Sequence, residues 1–225
     1  MLGAGGHVSI RTAQKSLREK PPGQINDQTV ENLVDYRDEE GAFGPILCES
    51  DRVARNILEF RLADGARLIA RPSGTEPKHK IYAEVSAPPI GTEGSIADLR
   101  SCKVETAATA RELALGLCVE WLDRIGISMP RWALEISDLV PLEWKQDFSQ
   151  EVMPKLVSEL TAGKSAGEVE EWVDQRLGKY GADGRLLVRD AVSAYCRQAP
   201  PDPSVRKKLD RLFAIESGDP AEQRD

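Results

Sequence analysis

Aromatic residues, histidines and long apolar runs are all scarce in this chain of 225 residues. Only 5% of the residues are aromatic, whereas 40% are hydrophobic and 30% are charged. This balance is typical of a globular chain that buries a core, and it argues against an intrinsically disordered one. No apolar run approaches the roughly 18 residues that a membrane span needs, so a membrane protein is not expected.

The chain also lacks a surplus of positive charge and a secretory signal. Its net charge is −7, spread over both halves, so binding to DNA or RNA is not expected. The first six residues, MLGAGG, contain neither the basic start nor the apolar stretch of a signal peptide. We therefore expect a cytoplasmic protein.

Cysteine spacing argues against a zinc site. The four cysteines form no Cys-x-x-Cys pair, and both histidines lie far from them in the sequence. Two of the cysteines, Cys102 and Cys118, fall on the apolar side of one helical pattern, which favours buried and inert thiols.

The first part of the chain predicts a small antiparallel sheet. Apolar and polar residues alternate over residues 56–62, and Asp64-Gly65 is a dipeptide favoured in two-residue hairpin turns. Residues 66–71 are then the returning strand. Further strands are predicted over residues 29–36 and 78–85, the latter with His79 on the core side. That position favours a structural histidine over a general acid beside the loop that precedes it.

Two helices are predicted to cover this sheet. The first begins at Ser9 as its cap and ends before Pro21-Pro22-Gly23. The second runs over residues 98–125 and has an apolar stripe. That stripe consists of Leu99, Cys102, Ala110, Leu113, Leu117, Trp121 and Ile125.

After Ile127 the pattern is helical, without strands. Helical segments are predicted near 131–140, 147–161, 165–178, 184–198 and 203–216, and Ser165 opens a capping box ahead of the third. The predicted fold class is therefore α+β, a small antiparallel sheet with two covering helices over residues 1–126, followed by an all-α extension over 127–225.

The octamer from Arg71 to Lys78, RPSGTEPK, concentrates phosphate-binding groups between two predicted strands. A guanidinium can grip two phosphate oxygens, hydroxyls can donate hydrogen bonds, and a glycine lets backbone N–H groups turn toward an anion. The residues with these roles are Arg71, Ser73, Thr75 and Gly74, and Lys80 can add a further charge. The alternative is an ordinary turn, since Pro, Ser and Gly are favoured between strands.

The octamer, the hairpin before it and the strand after it resemble the phosphate-binding loop of the α-D-phosphohexomutases, the family of phosphoglucomutases and phosphomannomutases. LREKPP at residues 17–22 and ILEFRLADG at 57–65 also resemble family segments. The likeness covers about residues 8–125. It implies the fourth, C-terminal domain of the family, whose loop holds the non-reacting phosphate of the sugar and rotates to close the active site.

By this resemblance the phosphate contacts are Arg71, Ser73, Gly74, Thr75 and Lys80, with Lys78 a weaker candidate. Three other motifs of the family are absent from the 225 residues: the Ser-His-Asn-like phosphoserine segment, the Asp-Gly-Asp-x-Asp-Arg metal loop and the Gly-Glu-rich sugar loop. Magnesium is therefore expected only in a complete family enzyme, and this chain is predicted to supply no catalytic residue and no metal ligand.

Two functions stay open on the sequence. One is part of an isomerase, an intramolecular phosphotransferase that interconverts hexose 1-phosphate and hexose 6-phosphate, with the missing catalytic domains on a longer or separate chain. The other is a stand-alone module that binds a sugar phosphate or a partner protein without catalysis. A phosphosugar is the expected ligand of the isomerase part. The stand-alone module would bind either a phosphosugar or a partner protein.

Overall fold

A computed structural model describes residues 6–74, 76 and 78–215. The chain divides into two compact units, one ending at Ser128 and the other beginning at Met129. In the described part of the chain, no helix combines the length and apolar character needed to span a membrane.

A five-stranded antiparallel sheet forms the centre of the N-terminal unit, and each strand pairs with the next one in chain order. The strands are β1 Gln24–Ile25, β2 Gln28–Asp35, β3 Leu58–Leu62, β4 Arg67–Pro72 and β5 His79–Glu84. This confirms the predicted antiparallel sheet. The sequence pattern missed β1, because two residues are too few to show alternation.

The hairpin between β3 and β4 is confirmed, but its predicted two-residue turn is wrong. The Leu62 amide donates to the Ala66 carbonyl at 2.9 Å, which encloses three residues. Gly65 has a φ of 84°, the left-handed position that ends such a three-residue turn. Asp64, the middle residue of this turn, stabilises it, because its Oδ1 accepts a 3.0 Å hydrogen bond from the Ala66 amide.

Two helices, α1 Gly6–Glu19 and α3 Ile96–Asp123, pack on the apolar face of the sheet, as predicted. The side chains that meet there are buried, among them Leu17, Phe60, Leu68 and Leu117. Ser9 lies inside α1, so the predicted cap at Ser9 is wrong. A short helix, α2 Glu49–Ala54, was not predicted, because it buries no residue and has no apolar stripe to detect.

Helix α3 begins at Ile96 in a capping box. The Ser95 hydroxyl accepts a 3.1 Å hydrogen bond from the Asp98 amide, and the Asp98 carboxylate accepts one of 2.8 Å from the Ser95 amide. Burial on α3 starts only at Leu113, and the side chain of Leu99 is 44% exposed. The predicted apolar stripe is thus wrong in its first half. Helix α3 runs alongside β5, because Trp121 lies near His79 and Ala107 lines the same groove as Ala83. Its 28 residues span about 42 Å, whereas the six residues of β5 span about 20 Å, so the first residues of α3 extend past the strand.

The second half of α3 is anchored to the start of the sheet. The Asn26 side-chain amide donates to the Glu112 carbonyl at 2.9 Å, and Asn26 itself has a φ of 55°. A Cβ at Gly116 would lie 2.3 Å from the Asn26 Oδ1, so a larger residue here would displace the Asn26 side chain. Arg124 donates to the Lys20 carbonyl at 2.8 Å and thereby joins the ends of α3 and α1.

The C-terminal unit contains no strand among its described residues, which agrees with the predicted all-α extension. Its α-helices are α4 Leu142–Asp147, α5 Met153–Thr161, α6 Ala166–Leu177, α7 Gly184–Gln198 and α8 Pro203–Leu212. Short 3₁₀ turns cover Arg131–Glu135 and Gly178–Tyr180, and a π-helical segment, Phe148–Val152, joins α4 to α5. The capping box of Ser165 with Glu168 at the start of α6 is confirmed.

The core of this unit surrounds Phe148, which is fully buried. The Trp132 ring lies edge-on to Phe148 and to Tyr195, at centroid distances of 6.3 and 5.3 Å. The predicted helix over 131–140 is only the 3₁₀ turn, because the backbone is already extended at Ile136, the residue that ends this turn.

Candidate functional site

Arg71 and Lys80 lie opposite each other where β4 pairs with β5. Residues paired across antiparallel strands share a face of the sheet, so both cations rise on the same face. The neighbouring pair, Ala70 and Ile81, points to the helix-covered face, where Ala70 is fully buried. The two cations therefore lie on the face turned away from α1 and α3.

The Arg71 guanidinium has an uncommitted donor. Its Nε is buried and forms no hydrogen bond with any described residue. A buried donor left without a partner costs on the order of 1–3 kcal/mol. An anionic oxygen at this point would remove that cost, which singles out Arg71 among the cations of the sheet.

The other arginines on this face are already paired. The Glu59 carboxylate, 2% exposed as a residue, accepts hydrogen bonds from the Tyr36 hydroxyl at 2.8 Å and from Arg61 Nε at 2.9 Å. Burial would raise the pKa of the Glu59 carboxyl, but these two hydrogen bonds hold it below its ordinary value. Arg67 donates to Glu84 at 2.5 Å. Arg61 and Arg67 are thus compensated by carboxylates, unlike Arg71.

The loop between β4 and β5 is closed by a hydrogen bond of 2.9 Å from the Ser73 amide to the Lys78 carbonyl. The Lys78 ammonium forms an ion pair with Glu76, and this contact lowers the pKa of the Glu76 carboxyl. Lys78 is therefore less available to a ligand than Lys80, which forms no ion pair with the described residues.

Gly74 is exposed at the tip of this loop. A Cβ built there would meet no protein atom within 4 Å, and the φ of Gly74 lies outside the left-handed region. The fold itself therefore does not require glycine at this position. Thr75 and Pro77, which complete the predicted octamer, lie outside the described residues.

Behind the loop, Gln14 fixes both of its ends. This side chain is 1% exposed, and its Nε2 donates to the Ala70 carbonyl at 3.2 Å. Its Oε1 lies 2.9 Å from Nε2 of His79. Since Ala70 precedes Arg71 and His79 precedes Lys80, Gln14 holds the backbone beside each cation. The role of Gln14 was not predicted, although a glutamine four residues after Ile10 on the apolar side of α1 is a detectable exception.

His79 is a structural residue, as its position in the strand pattern favoured. Its ring lies 5.0 Å from the Trp121 ring, between centroids, and burial lowers its pKa to about 4. The imidazole is therefore neutral near neutral pH, and it adds no positive charge to the loop.

Arg18, in the segment LREKPP, ties two strand ends together. Its Nε donates to Asp35 at 2.6 Å and its Nη2 to Asn56 at 3.1 Å. The Asn56 carbonyl also lies 3.4 Å from Gln14 Nε2. The segment thus orders the sheet behind the loop and does not contact the two cations.

Residues 26–89 match the family model described as phosphoglucomutase/phosphomannomutase, C-terminal domain. A protein named "Probable phosphomannomutase" from Haemophilus influenzae is 38% identical over 87 residues, which cover 35% of this chain and 16% of that relative. This segment belongs to the phosphohexomutase C-terminal domain family. No solved structure gave a significant match.

The phosphohexomutase domain contains every predicted phosphate ligand, since residues 71–80 lie inside the matched segment. The chain spans only 16% of the length of the curated relative, and residues 129–215 lie outside the match. Among the described residues, no three His, Cys, Asp or Glu side chains cluster as a metal site requires.

Proposed function

We propose that the phosphohexomutase domain binds the non-reacting phosphate group of a phosphosugar at the loop between β4 and β5. Arg71 grips the phosphate through its guanidinium, and Lys80, directly across the strand pair, adds a second positive charge. Ser73 and Thr75 donate hydroxyl hydrogen bonds, and Gly74 leaves the loop tip open. Lys78 contributes less, because Glu76 neutralises it.

The buried Nε of Arg71 carries this proposal. A turn that served only to reverse the chain would have no reason to bury an unpaired guanidinium nitrogen beside a second cation. A phosphate oxygen supplies the missing acceptor and balances the two charges. Because the loop is open to solvent on one side, we expect a modest affinity from this chain alone.

Titration with glucose 1-phosphate and with inorganic phosphate, followed by amide chemical shifts, tests this role. Arg71→Ala should weaken binding by about tenfold or more, since hydrogen bonds to charged groups contribute about 1.5–3 kcal/mol. Arg71→Lys should recover only part of the loss, because an ammonium cannot form the planar two-point contact. Arg100→Ala, an exposed arginine on α3, is the matched control and should bind as the parent does.

The outcome that would contradict the proposal is a set of identical shifts and affinities for the parent chain and Arg71→Ala. A far-ultraviolet circular dichroism spectrum and melting curve for each variant show whether a loss of binding reflects a loss of fold.

We further propose that catalysis, if this domain takes part in it, uses domains carried on a longer or separate chain in the cytoplasm. The phosphoserine, metal and sugar motifs are all absent from the 225 residues. The alternative is a module that binds without catalysis. We expect no conversion of glucose 1-phosphate by the purified chain, and measurable turnover by this chain alone would show that it contains its own catalytic groups.

A further inference from the structure

Strand β5 lies at the end of the strand order, so one of its sides is an edge of the described sheet. In an antiparallel ladder the backbone groups of successive residues point alternately to the two sides. The Ser73 amide donates to the Lys78 carbonyl, so Lys78 directs its carbonyl toward the β4 side. Every second residue after Lys78 does the same, so Lys80, Tyr82 and Glu84 direct their backbone groups to β4. Ile81 and Ala83 direct theirs outward, where they can pair with another strand.

The sequence of β5 is complementary to itself in one antiparallel register. When Tyr82 lies opposite Tyr82 of a second copy, Lys80 of each copy faces Glu84 of the other, and Ile81 of each faces Ala83. Moving the centre of pairing to Ala83 loses both ion pairs, and moving it to Lys80 places two lysines together. A centre at Ile81 places Glu84 opposite Lys78, which lies before β5 and already forms an ion pair with Glu76. Only the first register forms two opposite-charge pairs between residues of β5 while matching the outward backbone groups.

The side chains needed for this register are accessible. Tyr82 is 49% exposed, and the Glu84 side chain is 62% exposed, although it also accepts a hydrogen bond from Arg67. Lys80 has no ion-pair partner among the described residues. Each copy thus offers a lysine and a glutamate that can meet the opposite charges of the other copy.

A groove of about 480 Å³ lies on the helix-covered face beside this edge, between the end of β5 and the first half of α3. Its lining is mostly small, and includes Ala83, Val85, Ala87, Ala107 and Ala110. In the register above, Ile81 of the second copy comes to lie beside Ala83 on this same face. The isoleucine side chain can therefore enter the groove, which no described side chain fills.

We propose that two copies of this chain associate through their β5 edges in this register, with a twofold axis at Tyr82. The two five-stranded sheets then form one continuous sheet of ten strands. Each Ile81 packs in the groove of the other copy. There it lies next to the first half of that copy's α3, which that copy's sheet leaves uncovered. Association in this register requires no phosphate at Arg71 on β4, but it uses Lys80, which the proposed phosphate site shares.

Disulfide trapping tests the register. At a directly opposed pair that is not hydrogen-bonded, the Cα atoms lie about 4.5 Å apart, which a disulfide can span. In a background with Cys48→Ser and Cys102→Ser, we expect Tyr82→Cys to form a covalent dimer on mild oxidation. Glu84→Cys is the matched control and should stay monomeric, because its two copies would lie about 13 Å apart along the strands.

Sedimentation over a range of protein concentrations gives a second test that needs no cysteine. Glu84→Lys should weaken self-association about tenfold or more, because both ion pairs become repulsive. The swap Lys80→Glu with Glu84→Lys should restore it, and Glu93→Lys, the same charge change in the loop after β5, should leave it unaltered. Melting curves identify any variant that fails to fold.

A parent chain that sediments as a monomer at every concentration would overturn the proposal. So would a dimer that responds equally to Glu84→Lys and Glu93→Lys, or trapping that is equal at residues 82 and 84. Selective trapping at residue 82, together with rescue by the charge swap, supports it.

Discussion

At the scale of single residues, His79 and Arg71 show opposite uses of burial. The histidine is kept neutral and packed between Gln14 and Trp121, whereas Nε of Arg71 is buried without a partner among the described residues. Burial penalises a charge in both cases, but only the histidine escapes it by losing its proton. The guanidinium N–H of Arg71 needs a hydrogen-bond acceptor, which a ligand can supply.

The neutral state of His79 predicts a loss of stability in mild acid. The pKa is about 4 in the folded chain and about 6.5 when unfolded, so at intermediate pH the unfolded state binds the proton. Above pH ~6.5 this histidine does not reduce the free energy of unfolding. As the pH falls from ~6.5 toward ~4, the free energy of unfolding decreases, and the loss reaches on the order of 3 kcal/mol. Urea unfolding of the N-terminal unit between these pH values measures it.

The matched variants for this prediction are His79→Leu and His7→Asn. His79→Leu should flatten the pH dependence of the unfolding free energy while lowering its value at neutral pH, because Gln14 loses a partner. His7→Asn should retain the dependence. A parent slope that survives in His79→Leu would assign the effect to carboxylates instead.

At the scale of elements, the two capping boxes should differ in their effect on stability. Ser165 caps α6, which buries Val169, Val173 and Leu177 from its first turn onward. Ser95 caps the uncovered half of α3. We expect Ser165→Ala to lower the unfolding free energy of the C-terminal unit by about 1 kcal/mol. Ser95→Ala should only increase hydrogen exchange over the first turns of α3, because those turns carry few tertiary contacts.

Denaturant unfolding and hydrogen exchange with mass spectrometry check this pair of substitutions together. An equal loss of global stability from both would mean that the first half of α3 is packed more firmly than its exposure indicates. Ser50→Ala, in the short and unburied α2, is a control expected to change neither measurement.

The elements that the sequence predicted well are those whose own residues carry a strong period. Alternation located β3 and β5, and capping signals located α6. Solvent exposure of Leu99 escaped prediction, because a helical stripe reveals which side is apolar but not where the sheet beneath it ends. The burial of Glu59 was not predicted either. Its hydrogen-bond partner Tyr36 is 23 residues away in sequence, so no local pattern indicates the contact.

The site was predictable as a set of residue types but not as a geometry. The octamer and its family resemblance identified Arg71, Ser73 and Lys80 as candidates. The pairing of Arg71 with Lys80 follows from the register of β4 and β5, which alternation alone does not fix. The unpaired Arg71 Nε and the support from Gln14 are products of tertiary packing, so no local pattern announces them.

At the scale of the whole molecule, each unit has its own buried core, and we expect two separable unfolding transitions. Phe148→Ala should destabilise the C-terminal unit by about 3–5 kcal/mol, as expected for truncating a fully buried ring. The transition of the N-terminal unit should keep its midpoint. Leu139→Ala, at a position that is 76% exposed, is the control and should shift neither transition.

Scanning calorimetry distinguishes these outcomes. A single transition that moves as a whole with Phe148→Ala would show that the units unfold as one cooperative body. Phosphate added during the scan should raise only the transition of the N-terminal unit, since the proposed ligands all lie there.

The anchoring of α3 to the beginning of the sheet also affects how the chain is made. Asn26 meets Gly116 and Arg124 meets Lys20, so contacts that close the N-terminal unit join residues 90 and 104 positions apart. A chain growing on the ribosome can assemble the strand meander early, but its apolar face stays uncovered until the second half of α3 has emerged. Synthesis of the helical unit then gives the nascent protein time for this late closure before release.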